Sequence, residues 1–316
     1  MYLILTLLLT LTLTLKTTAK PYTNITFIGS HDAPFTGSLP QQNQNLNVTA
    51  QLDLGVRFLQ GQTHRSLGLD APTDTDDKQK LDLCHSSCLL EDAGPLVDFL
   101  KLVKNWLDQK ENKKEVVTLL LTNGDRVDVG VFARAFEESS LDQLAFVPGS
   151  GLALDEGPSV EAMVDMGKRV VVFLGTLPAP SPVSSPVCHI TLMSTGGDYN
   201  ANISTTPYIL DEFTYFFETP FDVTDARFSN CSVDRPPGAN PDHRMYIVNH
   251  FLDVDILGVK VPDRAHADRT NAVEGEGGIV QNARRCAGLY GRVPNVVLLD
   301  FVDKGEAIKA QRILRG

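Results

Sequence analysis

Basic charge is scarce in this sequence. Its 28 Lys and Arg residues stand against 39 Asp and Glu, a formal net charge of −11. A surface of that sign repels phosphate backbones and anionic bilayers, which argues against nucleic acid as a partner and limits membrane contact to a transient one. Long apolar runs are equally few. The one that stands out, Met1 to Leu15, falls short of the ~20 residues a spanning helix needs. It passes through Lys16 into the small residues Thr17-Thr18-Ala19, the layout of a secretory signal peptide cut after Ala19. Residues 1–19 are therefore expected to be removed, leaving 20–316 as a single secreted domain and a monomer. Internal repeats are absent, as is any helical His/Glu pair at zinc-ligand spacing, so a zinc hydrolase built from His31, His64, His85 and His250 ranks low. A single tryptophan, Trp106, is present.

Cysteine is sparse but consistent with an oxidising compartment. Of the five, Cys84 and Cys88 can close a short loop and Cys231 can reach Cys286, with Cys188 left over; spacing alone proves no connectivity. Four sequons begin at Asn24, Asn47, Asn202 and Asn230, as expected of an extracellular chain carrying surface glycans.

Several short apolar runs end in polar clusters, and most are followed by a segment of helical period. Asn24–Gly29, Val56–Leu59, Leu81–Cys84, Val116–Leu121, Arg169–Leu174, Met245–Val248 and Val296–Leu299 read as strands. Pro95–Gln109, Val129–Ser140, Val160–Met166 and Glu306–Leu314 read as helices. This alternation predicts an α/β fold with a parallel sheet. Functional groups collected at the carboxyl ends of several strands favour a TIM-type (β/α) barrel over a doubly wound open sheet. Residues 177–206 resist the pattern and are expected to be a surface excursion or a retained non-coding stretch of the gene.

Two of those strand ends carry histidine: His31 in Gly29-Ser30-His31-Asp32 and His85 in Leu83-Cys84-His85-Ser86. A lone histidine at such a place is more often a solvated or capping residue. Two on facing loops of one barrel mouth are a different matter. Cleaving a phosphodiester through a neighbouring hydroxyl needs one group to take the hydroxyl proton and another to protonate the departing oxygen, and two imidazoles can do both. A carboxylate on the far nitrogen of the base would fix its tautomer, and Asp300 after the last strand is the candidate. Asp32 can hydrogen-bond in the same pocket or assist the acid. Asn123, Asp125, Asn249 and His250 are candidates for the pocket wall, with packing or capping as the plain alternative.

Ser30-His31-Asp32, Gly55-Val56-Arg57-Phe58-Leu59, Leu83-Cys84-His85 and Leu298-Leu299-Asp300-Phe301, in that order, resemble the phosphatidylinositol-specific phospholipase C X-domain superfamily. The sequence is most similar to secreted fungal PLC-like phosphodiesterases, with Pro207–Phe213 and Tyr246–Asp253 as further matches. The resemblance implies an irregular TIM barrel in which His31 is the general base, His85 the general acid and Asp300 the partner of His31. It also implies an inositol phospholipid, a lipid anchor or a related phosphodiester as substrate, without a cofactor. One position departs. Where metal-independent members place an arginine against the phosphate, this chain has Gln62, which supplies no charge, and His64 or Arg65 is the nearest replacement. Calcium-dependent members use carboxylates nearby, and Gln60 and Gln62 do not replace those, so calcium is not expected. The alternative is a catalytically impaired barrel that binds an extracellular headgroup or glycan.

Overall fold

The computed structural model describes residues 19–67, 79–149, 152, 154–176 and 206–316. The leader-like residues 1–18 and nearly all of the irregular stretch expected at 177–206, with Cys188 and the Asn202 sequon, lie outside the described residues. Strands run as β1 (Phe27–Ser30), β2 (Phe58–Arg65), β3 (Leu81–Cys84), β4 (Asp92–Pro95), β5 (Val117–Asn123), β6 (Val170–Thr176), β7 (Ile209–Asp211), β8 (Phe216–Glu218), β9 (Met245–Asn249), β10 (Asp253–Ile256), β11 (Val259–Pro262) and β12 (Val296–Leu299). The helices are α1 (Val48–Leu54), α2 (Leu96–Asp108), α3 (Val129–Ser139), α4 (Val160–Asp165), α5 (Glu212–Tyr215), α6 (Ala267–Thr270), α7 (Ile279–Tyr290) and α8 (Ala307–Arg315).

Eight strands form one parallel wall in the order β7-β6-β5-β2-β1-β12-β9-β8. The two end strands, β7 and β8, do not pair, so the sheet curls into an irregular, unclosed barrel of the α/β class. The two-residue period of a strand sorts its side chains. Phe27, Phe58, Leu120, Val171, Phe173, Leu210, Phe216, Ile247, Val296 and Leu298 pack together inside the curl. Their alternates, among them Ile28, Leu59, Leu119, Leu121, Val172, Val297 and Leu299, pack outward against the helices. The lumen is tight: a Cβ on Gly29 would lie 2.6 Å from a Leu298 methyl and 3.0 Å from the Phe58 ring. A larger residue there would have to push the Leu298 side chain aside.

The amphipathic reading of α2 holds in detail. Leu96, Phe99, Leu100, Val103, Trp106 and Leu107 are its buried face, each large apolar side chain contributing about 1.5–3 kcal/mol on burial. The Trp106 indole donates to Asp53 (2.7 Å) and lies under the Arg57 guanidinium. Both expected disulfides, Cys84–Cys88 and Cys231–Cys286, are formed, and Asn24, Asn47 and Asn230 are exposed.

The Leu81–Cys84 segment departs from expectation. It is not a barrel strand followed by a helix but the first arm of an antiparallel hairpin with β4, paired to Thr63–Arg65 of β2. The reason lies in β1, which pairs with β2 only at Phe58 and Leu59 and then turns away. The far half of β2 would be left with an unpaired edge, and β3 covers it. Through that hairpin His85 reaches the barrel mouth.

Candidate active site

Strand alternation aims two residues into the mouth. Phe27 and Gly29 face the lumen, so His31, one step past β1, does too; Val296 and Leu298 place Asp300 likewise. Asp32 and Phe301 both have positive φ, 45° and 49°, and the chain turns sharply after each strand. Aspartate tolerates that left-handed conformation better than most side chains. At Asp32 the turn is fastened by Gln60, whose Oε1 accepts from the Asp32 N–H (2.7 Å). At Asp300 it is fastened by Asn271, whose amide donates to the carbonyls of Asp300 and Phe301.

His31 Nδ1 lies 2.9 Å from Asp300 Oδ1. Asn43 Nδ2 donates to the same carboxylate oxygen (3.1 Å), so the proton between His31 and Asp300 belongs on Nδ1 and leaves Nε2 as the ring's free nitrogen. That Nε2 faces Asp32 Oδ2 at 3.6 Å, and His85 Nε2 faces the same oxygen at 3.3 Å. Both histidines thus turn their Nε2 atoms toward one fully buried carboxylate. Gln62 donates its amide to Asp32 Oδ2 (2.9 Å) and accepts from the Ser86 N–H (3.2 Å), bracing the aspartate against the His85 loop. Phe35 packs edge-on against His85, and Phe251 lies flat on His31. Asp32 Oδ1 and Asp300 Oδ2 are buried without a partner.

The electrostatics follow from this crowding. Burial disfavours a charged His31, but Asp32 and Asp300 outweigh it and push its pKa up to about 9. Burial likewise works against His85, and its bond to Asp32 raises it above the usual histidine value. Asp32, although buried, is held below the carboxylate range by the two imidazoles. Burial raises Asp300 despite His31. Asp253, buried and near Asp300, is pushed up to about 7.

A family model described as PI-PLC X 1 matches residues 17–185 and 191–315. This chain belongs to the PI-PLC X-domain family. Among curated relatives it is 43% identical, over 93% of its length and 86% of the other's, to PI-PLC X domain-containing protein 1 of Arthroderma benhamiae. It is 37% identical over 91% of its length to an uncharacterized secreted protein of the same fungus, of which it spans 59%. Among solved structures it is similar to phosphatidylinositol-specific phospholipase C from Staphylococcus aureus, in an F249X mutant, and from Listeria monocytogenes. The TM-scores are 0.55 and 0.50, the sequence identities 15% and 14%, and in each case 94% of this chain is covered, with 94% and 95% of the other. At that identity the likeness speaks for the shared PI-PLC fold.

Other expected pocket residues take different places. His250 does not line the mouth: it is fully buried, its Nε2 on the Thr270 carbonyl (2.8 Å) and its Nδ1 on the Asn282 amide (2.8 Å). Burial drives its pKa down to about 4, so it is a neutral packing residue. Asn123 is also turned away, its amide clasping both the N–H and the carbonyl of Val127. His64 pairs with Asp125 (3.0 Å) rather than reaching the mouth. With Leu67, Ser87 and Leu89 they line a separate cavity of about 490 Å³ beside the His85 loop. Alternation explains the two buried residues. His250 and Asn123 are in phase with the outward faces of β9 and β5, while Asn249 and Thr122 are in phase with the lumen.

A polar cluster in the lumen was announced only in part: Glu212 and Asn249 fall in the matched stretches Pro207–Phe213 and Tyr246–Asp253, whereas Glu218 and Arg235 fall in none. Glu218 accepts from Asn249 Nδ2 (3.0 Å) and from the Arg235 Nε (3.0 Å), and Glu212 lies against it in space left by Gly175. Burial and Glu218 push Glu212 well above the carboxylate range. Burial also opposes charge on Glu218, but Arg235 holds it low, so one proton serves the pair. The charge of Arg235 is thereby spent on Glu218. As for calcium, Gln60 and Gln62 offer no carboxylate and both amide oxygens are already used, so these residues do not fit a hard cation.

Proposed function

We propose that the protein is a secreted phosphodiesterase that cleaves an inositol phospholipid, a glycosylated lipid anchor or a related diester by two-histidine acid-base catalysis without a metal. The observation that carries this reading is the convergence of two Nε2 atoms on Asp32 Oδ2, with the opposite nitrogen of one ring held by Asp300. In the proposed reaction His31 Nε2 takes the proton of a substrate hydroxyl adjacent to the phosphate. The freed oxygen attacks phosphorus, and the bond to the leaving oxygen breaks as His85 Nε2 delivers its proton there. The products are a cyclic phosphate and the departing alcohol. Water can then open the ring with the two roles reversed.

Asp32 offsets the imidazolium charge on either side of the transfer, and Asp300 stabilises the His31 cation once it forms. With Gln62 neutral and Arg235 paired, the positive charge facing the phosphate comes from protonated His85 and, once it has taken the substrate proton, from His31. Exposed leucines on two loops support a lipid-borne substrate: Leu89 and Leu90, on the loop bearing His85, and Leu257 at the tip of the β10–β11 hairpin. The two disulfides and a relative named as secreted support export, with residues 1–19 as the leader and 20–316 as one domain.

Gln62 favours a second reading, a barrel that binds a headgroup or glycan without turning it over. Phosphorus NMR separates them. Mature protein with chelator and phosphatidylinositol, or a soluble inositol diester, is expected to yield a cyclic phosphate that His31→Ala does not make. No product from either substrate, with binding retained, would replace the enzyme by the binding protein.

A further inference from the structure

The face of His31 is covered by a second ring. Phe251 lies parallel to the imidazole, with centroids 3.7 Å apart and planes 3° from parallel. Its own position is fixed from both sides. His250 is locked to Thr270 and Asn282, the Leu252 carbonyl accepts from the Asp263 N–H (2.7 Å), and the Asp253 N–H donates to Val223 (2.8 Å). Phe251 is buried, so the stack is part of the packed interior rather than a surface contact.

Two neutral rings avoid face-to-face stacking because their faces are both negative. A cation over such a face is attracted instead. The arrangement therefore suits an imidazolium and disfavours a neutral imidazole. Charged and titratable groups also facing His31 are Asp32 beside it, Asp300 after β12, Asp253 at the start of β10 and His85 from the β3–β4 hairpin. Nδ1 is committed to Asp300 and Nε2 points to Asp32, so the ring edges set direction while the ring face is left to Phe251.

We propose that Phe251 is a positioning residue that clamps the His31 ring and selectively stabilises its protonated form, holding the proton taken from the substrate hydroxyl. This rests on His31 acting as the base. Replacing the ring by an aliphatic side chain should move the His31 titration down by roughly 0.4 to 1.5 pH units and lower the high-pH plateau of kcat/KM roughly two- to thirtyfold. A residue that merely filled space would leave the titration where it was.

The test is a proton NMR titration of the His31 ring, assigned by its loss in His31→Gln. It is run on the wild type, Phe251→Leu, Phe251→Met and Phe251→Tyr, beside pH profiles on phosphatidylinositol. The expected result is a downward shift in the leucine and methionine variants and wild-type behaviour with tyrosine, which keeps the ring. The methionine variant, whose unbranched side chain can adapt to the site, serves if leucine does not fold. An unshifted titration in either folded aliphatic variant, or an equal shift with tyrosine, overturns the proposal. If no variant and no wild type cleaves the lipid, the phosphodiesterase reading fails and the titration still decides the role of Phe251.

Discussion

Replacing Asp300 by asparagine tests the core of the mechanism, because two consequences of the change pull in opposite directions. The carboxylate holds the proton on His31 Nδ1 from 2.9 Å. An amide in its place can present N–H to that nitrogen and drive the proton to Nε2, where a base must be empty. In the serine-protease triad the same exchange costs about 10⁴ in kcat. The substitution also removes one of the charges that raise His31 to about 9. At that pKa only about 1% of the ring is neutral at pH 7, whereas near the ordinary ~6.5 most of it is. This second effect returns up to about a hundredfold at pH 7 and almost nothing at pH 9.5. Because Asp32 and Asp253 still hold His31 up, D300N is expected to lose between about 10² and 10⁴ at pH 7 and about 10⁴ at pH 9.5, with the acid limb of kcat/KM moving down from about 9. Cyclic phosphate release followed by phosphorus NMR across that range, with chelator present, measures both. A limb still near 9, or a loss that is the same at both pH values, would refute the pairing of Asp300 with a catalytic His31.

The remaining expectations concern the acid, the missing charge and the fold. His85→Ala should lower turnover of a lipid ester by about 10²–10⁴ yet spare an aryl ester whose leaving group needs no proton; equal loss on both would remove His85 from the acid role. Gln62→Arg should fall short of the roughly 10² in kcat that one electrostatic donor can supply at a transition state, because the guanidinium would draw Asp32 away from the imidazoles; a full hundredfold gain would show that charge at this position limits the rate. His250 has a folded pKa depressed to about 4, so its contribution is fully present above the unfolded value near 6.5 and is lost as pH falls through about 4. Across that window about 3 kcal/mol of stability should disappear. Urea unfolding at pH 7 and pH 4 should show a smaller difference in His250→Gln than in the wild type.

The longer barrel strands were legible because a curled parallel sheet buries both faces, and β5, β6 and β12 are apolar runs with little interruption. The strands β7 and β8, three residues each, were too short to show a period, and the seven-residue α1 depends on its Asn47 cap and a left-handed Gly55 more than on an apolar stripe. At the site, His31 and Asp300 could be picked out because each is the next lumen-facing position past a strand. The same alternation, carried along β9 and β5, turns His250 and Asn123 outward, so their places too were legible in the period of the strands. Asn43 was beyond reach: it lies 257 residues from the carboxylate it supports, in a loop without periodicity, and only the closure of the barrel joins them.

Gln62 changes its meaning once these contacts are known. Read as a position in a motif, it is a missing arginine and a reason to doubt catalysis. In the folded chain both ends of its amide are used, on Asp32 and on the Ser86 N–H, and its partner Asp32 already sits between two imidazoles that its charge favours in their protonated forms. An arginine at this place would compete with those histidines for the same carboxylate and lower their pKa values, weakening the charge that the pair presents to a phosphate. A neutral brace preserves that charge. On the proposed mechanism, protonated His85, the His31 cation formed on proton transfer and a neutral residue 62 would be parts of one electrostatic arrangement, in which the groups that move protons also face the anion. Its cost is pH: a base held near 9 works best in alkaline medium, and a kcat/KM that peaked near pH 6 would contradict the whole arrangement.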